Sequence, residues 1–65
     1  MFIKLHVQQR DGCFEIKYVN SNLIFTIDWN NEEKVTELFT SVSPAHFTIK
    51  ETPEEIMQLI KEASK

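Results

Sequence analysis

The sequence predicts an α+β domain, a small antiparallel β meander of four to five strands with one C-terminal helix packed on one face. Three observations predict it. Short apolar–polar alternations recur between residues 2 and 50, which is the period of half-buried strands. The breaks between them are a few residues long, and short connections make neighbouring strands antiparallel. From Thr52 onward the apolar spacing turns helical.

The first strand is expected at 2–8, where Ile3, Leu5 and Val7 alternate with Lys4, His6 and Gln8. Asp11-Gly12 follows, and Gly12 is the only glycine. A D-G pair between two alternating runs signals a hairpin, because the turn needs a positive φ. The second strand is expected at 13–19. Phe14, Ile16 and Tyr18 share one face, and Cys13, Glu15, Lys17 and Val19 the other. Asn20-Ser21-Asn22 breaks the chain through side-chain bonds to nearby backbone.

A third strand is expected at 23–29. Regular alternation would put Leu23, Phe25, Ile27 and Trp29 on one face, with Ile24, Thr26 and Asp28 on the other. Residues 30–34 are a polar loop. The segment 35–42 supports two readings, a helix or a strand over 35–41. Val35, Leu38, Phe39 and Val42 fit a helical stripe that Asn31 could cap, whereas the β-branched Val35, Thr36, Thr40 and Val42 favour a strand. The strand reading carries more weight. Ser43-Pro44-Ala45 reads as a turn and 46–50 as a last strand. Thr52, Pro53 and Glu55 then form a capping box with proline at the first helical position. Ile56, Leu59, Ile60 and Ala63 recur at i, i+3, i+4 and i+7, predicting a helix over 53–63.

Sixty-five residues give a single domain over 1–65 with a thin core. Cys13 is the only cysteine, so no disulfide framework exists and a reducing, cytoplasmic location is expected. Net charge is −3 and the basic residues are scattered, which disfavours nucleic acid as a partner. No apolar run reaches the roughly 20 residues of a membrane span, so no membrane insertion is expected.

No constellation points to catalysis or to a cofactor. His6, Cys13 and His46 are the residues of the alternative reading, a small metal- or thiol-dependent protein. Their spacing fits no compact metal motif, and a cysteine nucleophile needs a base and an orienting group that the sequence does not indicate. Surface histidines and an unreactive strand cysteine account for them. The run from Asp28 begins like a calcium loop, but Glu33 stands where glycine is required and Phe39 where the bidentate glutamate belongs. Glu54 and Glu55 fall in the first helical turn, where negative charge meets the positive end of the helix dipole.

The opening Phe2-Ile3-Lys4-Leu5-His6, the Asp11-Gly12 turn and the stretch Ile49-Lys50-Glu51-Thr52-Pro53-Glu54-Glu55-Ile56 resemble the FlbD-like family of small bacterial proteins. That family pairs a short β meander with a C-terminal helix introduced by V-x-E-[ST]-x-E-E-[IV]. The likeness is closest at the two ends. Lys17 stands where the family usually has asparagine, and the 30–46 region is longer. The resemblance implies a bacterial protein with a link to flagellar function, and it brings no catalytic residues.

Seven aromatic residues in 65 exceed what one short helix can cover. Either the sheet curls on itself into a partial barrel, or it keeps an apolar surface for a partner. The expected function is therefore a non-enzymatic protein-interaction module, self-associating or binding another protein, with Phe2, Ile24, Trp29 and Phe39 as contact residues.

Overall fold

The computed structural model describes residues 1–41 and 46–64. Five strands form one sheet: β1 (Phe2–Gln8), β2 (Phe14–Asn20), β3 (Ile24–Asn30), β4 (Val35–Thr40) and β5 (His46–Ile49). The helix α1 spans Pro53–Ala63. The strand order is β2-β1-β5-β4-β3 and every pairing is antiparallel. This is the expected α+β meander with a helix on the sheet. The turn expected at Ser43-Pro44-Ala45 lies outside the described residues.

Local chemistry explains the turns. Gly12 has φ of 88°, and the Gln9 N–H donates to the Cys13 carbonyl at 2.7 Å. Asp11 Oδ1 accepts from the Cys13 N–H. After β2, the Asn20 side chain caps a single 3-10 turn over Ser21–Leu23. That turn takes Leu23 out of the strand expected from 23. At the next turn, Asn30 Oδ1 accepts from the Glu32 and Glu33 N–H groups, and Lys34 adopts φ of 58°. The chain thus reverses before Asn31 can cap a helix, and Val35–Thr40 forms a strand. It lies between β3 and β5, where both sides of its backbone are paired and its β-branched residues fit.

The sheet curls. In a flat five-stranded sheet the two edge strands would lie about 19 Å apart, four spacings of about 4.8 Å. Asn20 ends one edge strand and Ile24 begins the other, and four residues reach at most about 14 Å. The two edges therefore approach at this end. Both neighbouring ladders run on into the 3-10 turn, with Ser21 N–H donating to the Met1 carbonyl and Ser41 N–H to the Leu23 carbonyl. The sheet stays open, with β2 and β3 as its two edges.

The concave side carries the core. Ile3, Leu5, Val7, Leu38, Ile49 and Ile56 are buried, with Val19, Ile24, Ile27, Leu59, Ile60 and Ala63 packed around them. Thr52 accepts from the Glu55 N–H, and Glu55 accepts from the Thr52 N–H, completing the capping box that starts α1. The helix contacts β1 and β3, and Ile56 is its fully buried residue.

Candidate protein-interaction surface

Strand β2 is built inside out. Its register with β1 pairs Ile3 with Val19, Leu5 with Lys17 and Val7 with Glu15. Directly paired residues share a face. Only Val19 therefore joins the core side, beside two charged residues. Phe14, Ile16 and Tyr18 pair with Gln8, His6 and Lys4 and point to the convex side. No residue of β2 is buried. Ile16 is 50% exposed, and Tyr18 and Phe2 are each 67% exposed. The most apolar positions of β2 are thus turned away from the core they could have joined.

The free edge of β2 follows from ladder parity. In an antiparallel pair, hydrogen-bonded and non-hydrogen-bonded pairs alternate. The bonds Gln9 to Cys13 at one end and Ser21 to Met1 at the other put odd-numbered β2 residues in hydrogen-bonded pairs with β1. The N–H and C=O groups of Phe14, Ile16 and Tyr18 therefore point outward along an edge that no described strand covers. Beside β2 a groove of about 420 Å³ is lined by Phe2, Val7, Tyr18, Val19, Leu23 and Phe47 among others.

The contact residues named from sequence do not form one patch. Phe2 lies on the convex face near Tyr18. Trp29 is 43% exposed and lies beside the first turn of α1, in a pocket with Thr52, Pro53 and Glu54. Phe39 is half-buried, its ring 5.3 Å from that of His46. Ile24 corrects the regular alternation. A register shift between Ile24 and Thr26 marks a β-bulge, which inserts an extra residue and reverses the facing beyond it. Ile24 thus packs on the core with Ile27, while Phe25 in the bulge is 76% exposed. Sequence reading missed Phe14, Ile16 and Tyr18 as surface residues. Their alternation was visible, but its phase relative to β1 was not.

The histidines have carboxylate partners. The His6 N–H donates to Glu51 Oε1 at 2.9 Å, and His6 Nδ1 lies 2.6 Å from Glu51 Oε2. Burial pushes the Glu51 carboxyl up, but the hydrogen bonds from the His6 ring and backbone outweigh it, and its pKa is lowered overall. An ionised carboxylate can only accept, so Nδ1 carries the shared proton. With Lys50 N–H donating to the His6 carbonyl, the Glu51 side chain prolongs the β1–β5 ladder past the last residue of β5. His46 Nε2 lies 3.6 Å from Glu37 Oε1.

Cys13 is exposed in the hairpin loop, three residues from the position opposite His6, or about 10 Å along the strand. Among the described residues no group of three or more His, Cys, Asp or Glu side chains could hold a metal ion. Among them also, no helix is long and apolar enough to cross a membrane.

Comparison with protein-family models, with curated proteins and with solved structures gave no match to this chain.

Proposed function

We propose that this chain is a non-enzymatic protein-interaction module whose contact surface is the convex face and free edge of β2. One observation carries this reading. Phe14, Ile16 and Tyr18 are apolar, regularly spaced and exposed, while the charged Glu15 and Lys17 occupy the core side of the same strand. A strand selected only to complete its own sheet would have the opposite phase, because apolar burial is the main favourable term in folding. An exposed edge with apolar side chains at alternate positions is the arrangement used in strand addition. There the main-chain bonds supply affinity and the side chains supply specificity.

The likeness of the two chain ends to FlbD-like proteins makes flagellated bacteria the first setting in which to seek the partner. The lone exposed thiol of Cys13 suits a reducing cytoplasm.

Tyr18→Asp tests the surface. The tagged wild-type chain should retain a partner, whether a host protein or an untagged copy of itself. Tyr18→Asp should lose that partner while keeping the wild-type circular dichroism spectrum. If the two retain the same set of proteins, the β2 surface is not the site of interaction.

A further inference from the structure

Resting on the interaction reading above, we propose that the occupant of the β2 edge is a second copy of this chain. The two copies pair β2 against β2 in antiparallel sense about a two-fold axis at Ile16. A two-fold interface requires the strand to be complementary to its own reverse. With the axis at Ile16, Ile16 faces Ile16 of the second copy. Phe14 then faces Tyr18 of the second copy, and Glu15 faces Lys17 of the second copy, each pairing occurring twice. The convex face becomes a row of aromatic, aliphatic and aromatic pairs, and the concave face gains two reciprocal ion pairs.

Backbone parity agrees independently. The outward N–H and C=O groups belong to Phe14, Ile16 and Tyr18, the residues this register places in hydrogen-bonded pairs. Glu15 and Lys17 fall in the non-hydrogen-bonded pairs, where opposed Cα atoms are about 4.5 Å apart and side chains come closest. Other two-fold registers lack this fit. An axis at Glu15 opposes two glutamates, and one at Lys17 opposes two lysines, and like charges directly opposite are destabilising. An axis at Tyr18 sets Lys17 against Val19 and leaves Glu15 without a charge partner. One at Phe14 overlaps only the hairpin end of the strand.

The two sheet edges meet at the 3-10 turn, next to Asn20, whereas Phe14–Tyr18 lies toward the hairpin end. The paired molecules would share one continuous ten-stranded sheet.

Charge reversal tests the register. The purified wild-type chain should show concentration-dependent dimerisation by sedimentation velocity between about 5 and 500 μM, as expected of a small interface. Lys17→Glu opposes two carboxylates twice and should weaken the dimer at least about tenfold. The double variant Glu15→Lys, Lys17→Glu rebuilds both ion pairs in reverse and should restore it. Both positions are exposed, so circular dichroism should be unchanged throughout.

Cross-linking gives a second reading. In a Cys13→Ser background, Ile16→Cys should form an intermolecular disulfide, because a hydrogen-bonded pair places Cα atoms about 5.5 Å apart. Tyr18→Cys should not, since that position lies four residues out of register with itself, about 14 Å away.

A wild-type chain that stays monomeric throughout, a dimer indifferent to Lys17→Glu, or cross-linking at position 18 in place of 16 overturns the proposal. A monomeric chain whose retained partner is still lost in Tyr18→Asp would refute self-pairing and leave the β2 surface reading standing.

Discussion

The junction between β5 and α1 and the strand β2 both set apolar side chains among charged ones in sequence, and the fold treats them in opposite ways. At the junction, Ile49 and Ile56 are fully buried. The Thr36 hydroxyl donates to the Glu51 carbonyl, the Lys50 N–H donates to His6 and the Glu51 carboxylate receives two bonds from His6. The stretch is thereby fastened to β1 and β4 at once. In β2 nothing is buried, one edge is left unpaired by the described strands, and Phe14, Ile16 and Tyr18 face outward. Hydrophobicity alone does not separate the two regions. The phase of each alternation relative to its neighbours does.

The sharpest way to break the comparison is to empty the core at the junction. Ile56→Ala should cost about 2–5 kcal/mol, the usual range for truncating a fully buried aliphatic residue. A domain of this size is stable by only about 3–10 kcal/mol, so a large share of the chains should be unfolded or close to it. Thermal melting followed by circular dichroism reads this directly. Thr36→Val should come next. It keeps the shape but removes the donor to the Glu51 carbonyl, leaving a part-buried acceptor without its bond, at about 1 kcal/mol. An unchanged urea midpoint would show that this hydroxyl does not help to hold the helix start on β4.

Glu51 should give a comparable, pH-dependent effect. Its pKa is lower in the folded chain than its ordinary value, so the unfolded state binds the proton more readily. The stability it contributes is fully present above the ordinary glutamate pKa of about 4.3 and is lost as pH falls through the lower folded value. Glu51→Gln should therefore cost about 1 kcal/mol at neutral pH and flatten the acid limb of the stability profile. Urea titrations at neutral and acid pH compare the two proteins. Equal losses on acidification in both would mean that the His6–Glu51 contact contributes nothing to acid stability.

The junction and β2 also differed in how far they could be read from sequence. The helix was legible because its signals are local. Thr52, Pro53 and Glu55 lie within four residues, and the stripe Ile56, Leu59, Ile60 repeats at helical spacing. The first hairpin was legible from Asp11-Gly12 for the same reason. The facing of β3 was not, because a bulge at Ile24/Thr26 leaves no mark in an apolar run that reads well in either phase. The bonds from His6 to Glu51 were equally hidden, since they join residues 45 positions apart and nothing local in either stretch points to the other. For β2, alternation grouped Phe14, Ile16 and Tyr18 correctly. Which side they face depends on the register set by the Gln9–Cys13 loop, a property of the closed hairpin and not of the strand.

The smallest effect sharpens the comparison most. Ile16→Thr keeps a β-branched side chain on a strand position that is half exposed and turned from the core. In dilute solution, at about 1 μM, it should change stability by no more than about 0.5 kcal/mol, the range for surface substitutions away from packed features. The wild-type chain should then melt at a higher temperature as its concentration rises, because binding to the folded state stabilises it by mass action. Ile16→Thr should show a weaker rise. If the variant is instead destabilised by more than about 1 kcal/mol even when dilute, the convex face of β2 is packed within the single chain. The contrast with Ile56, where burial is intramolecular and independent of concentration, would then be lost.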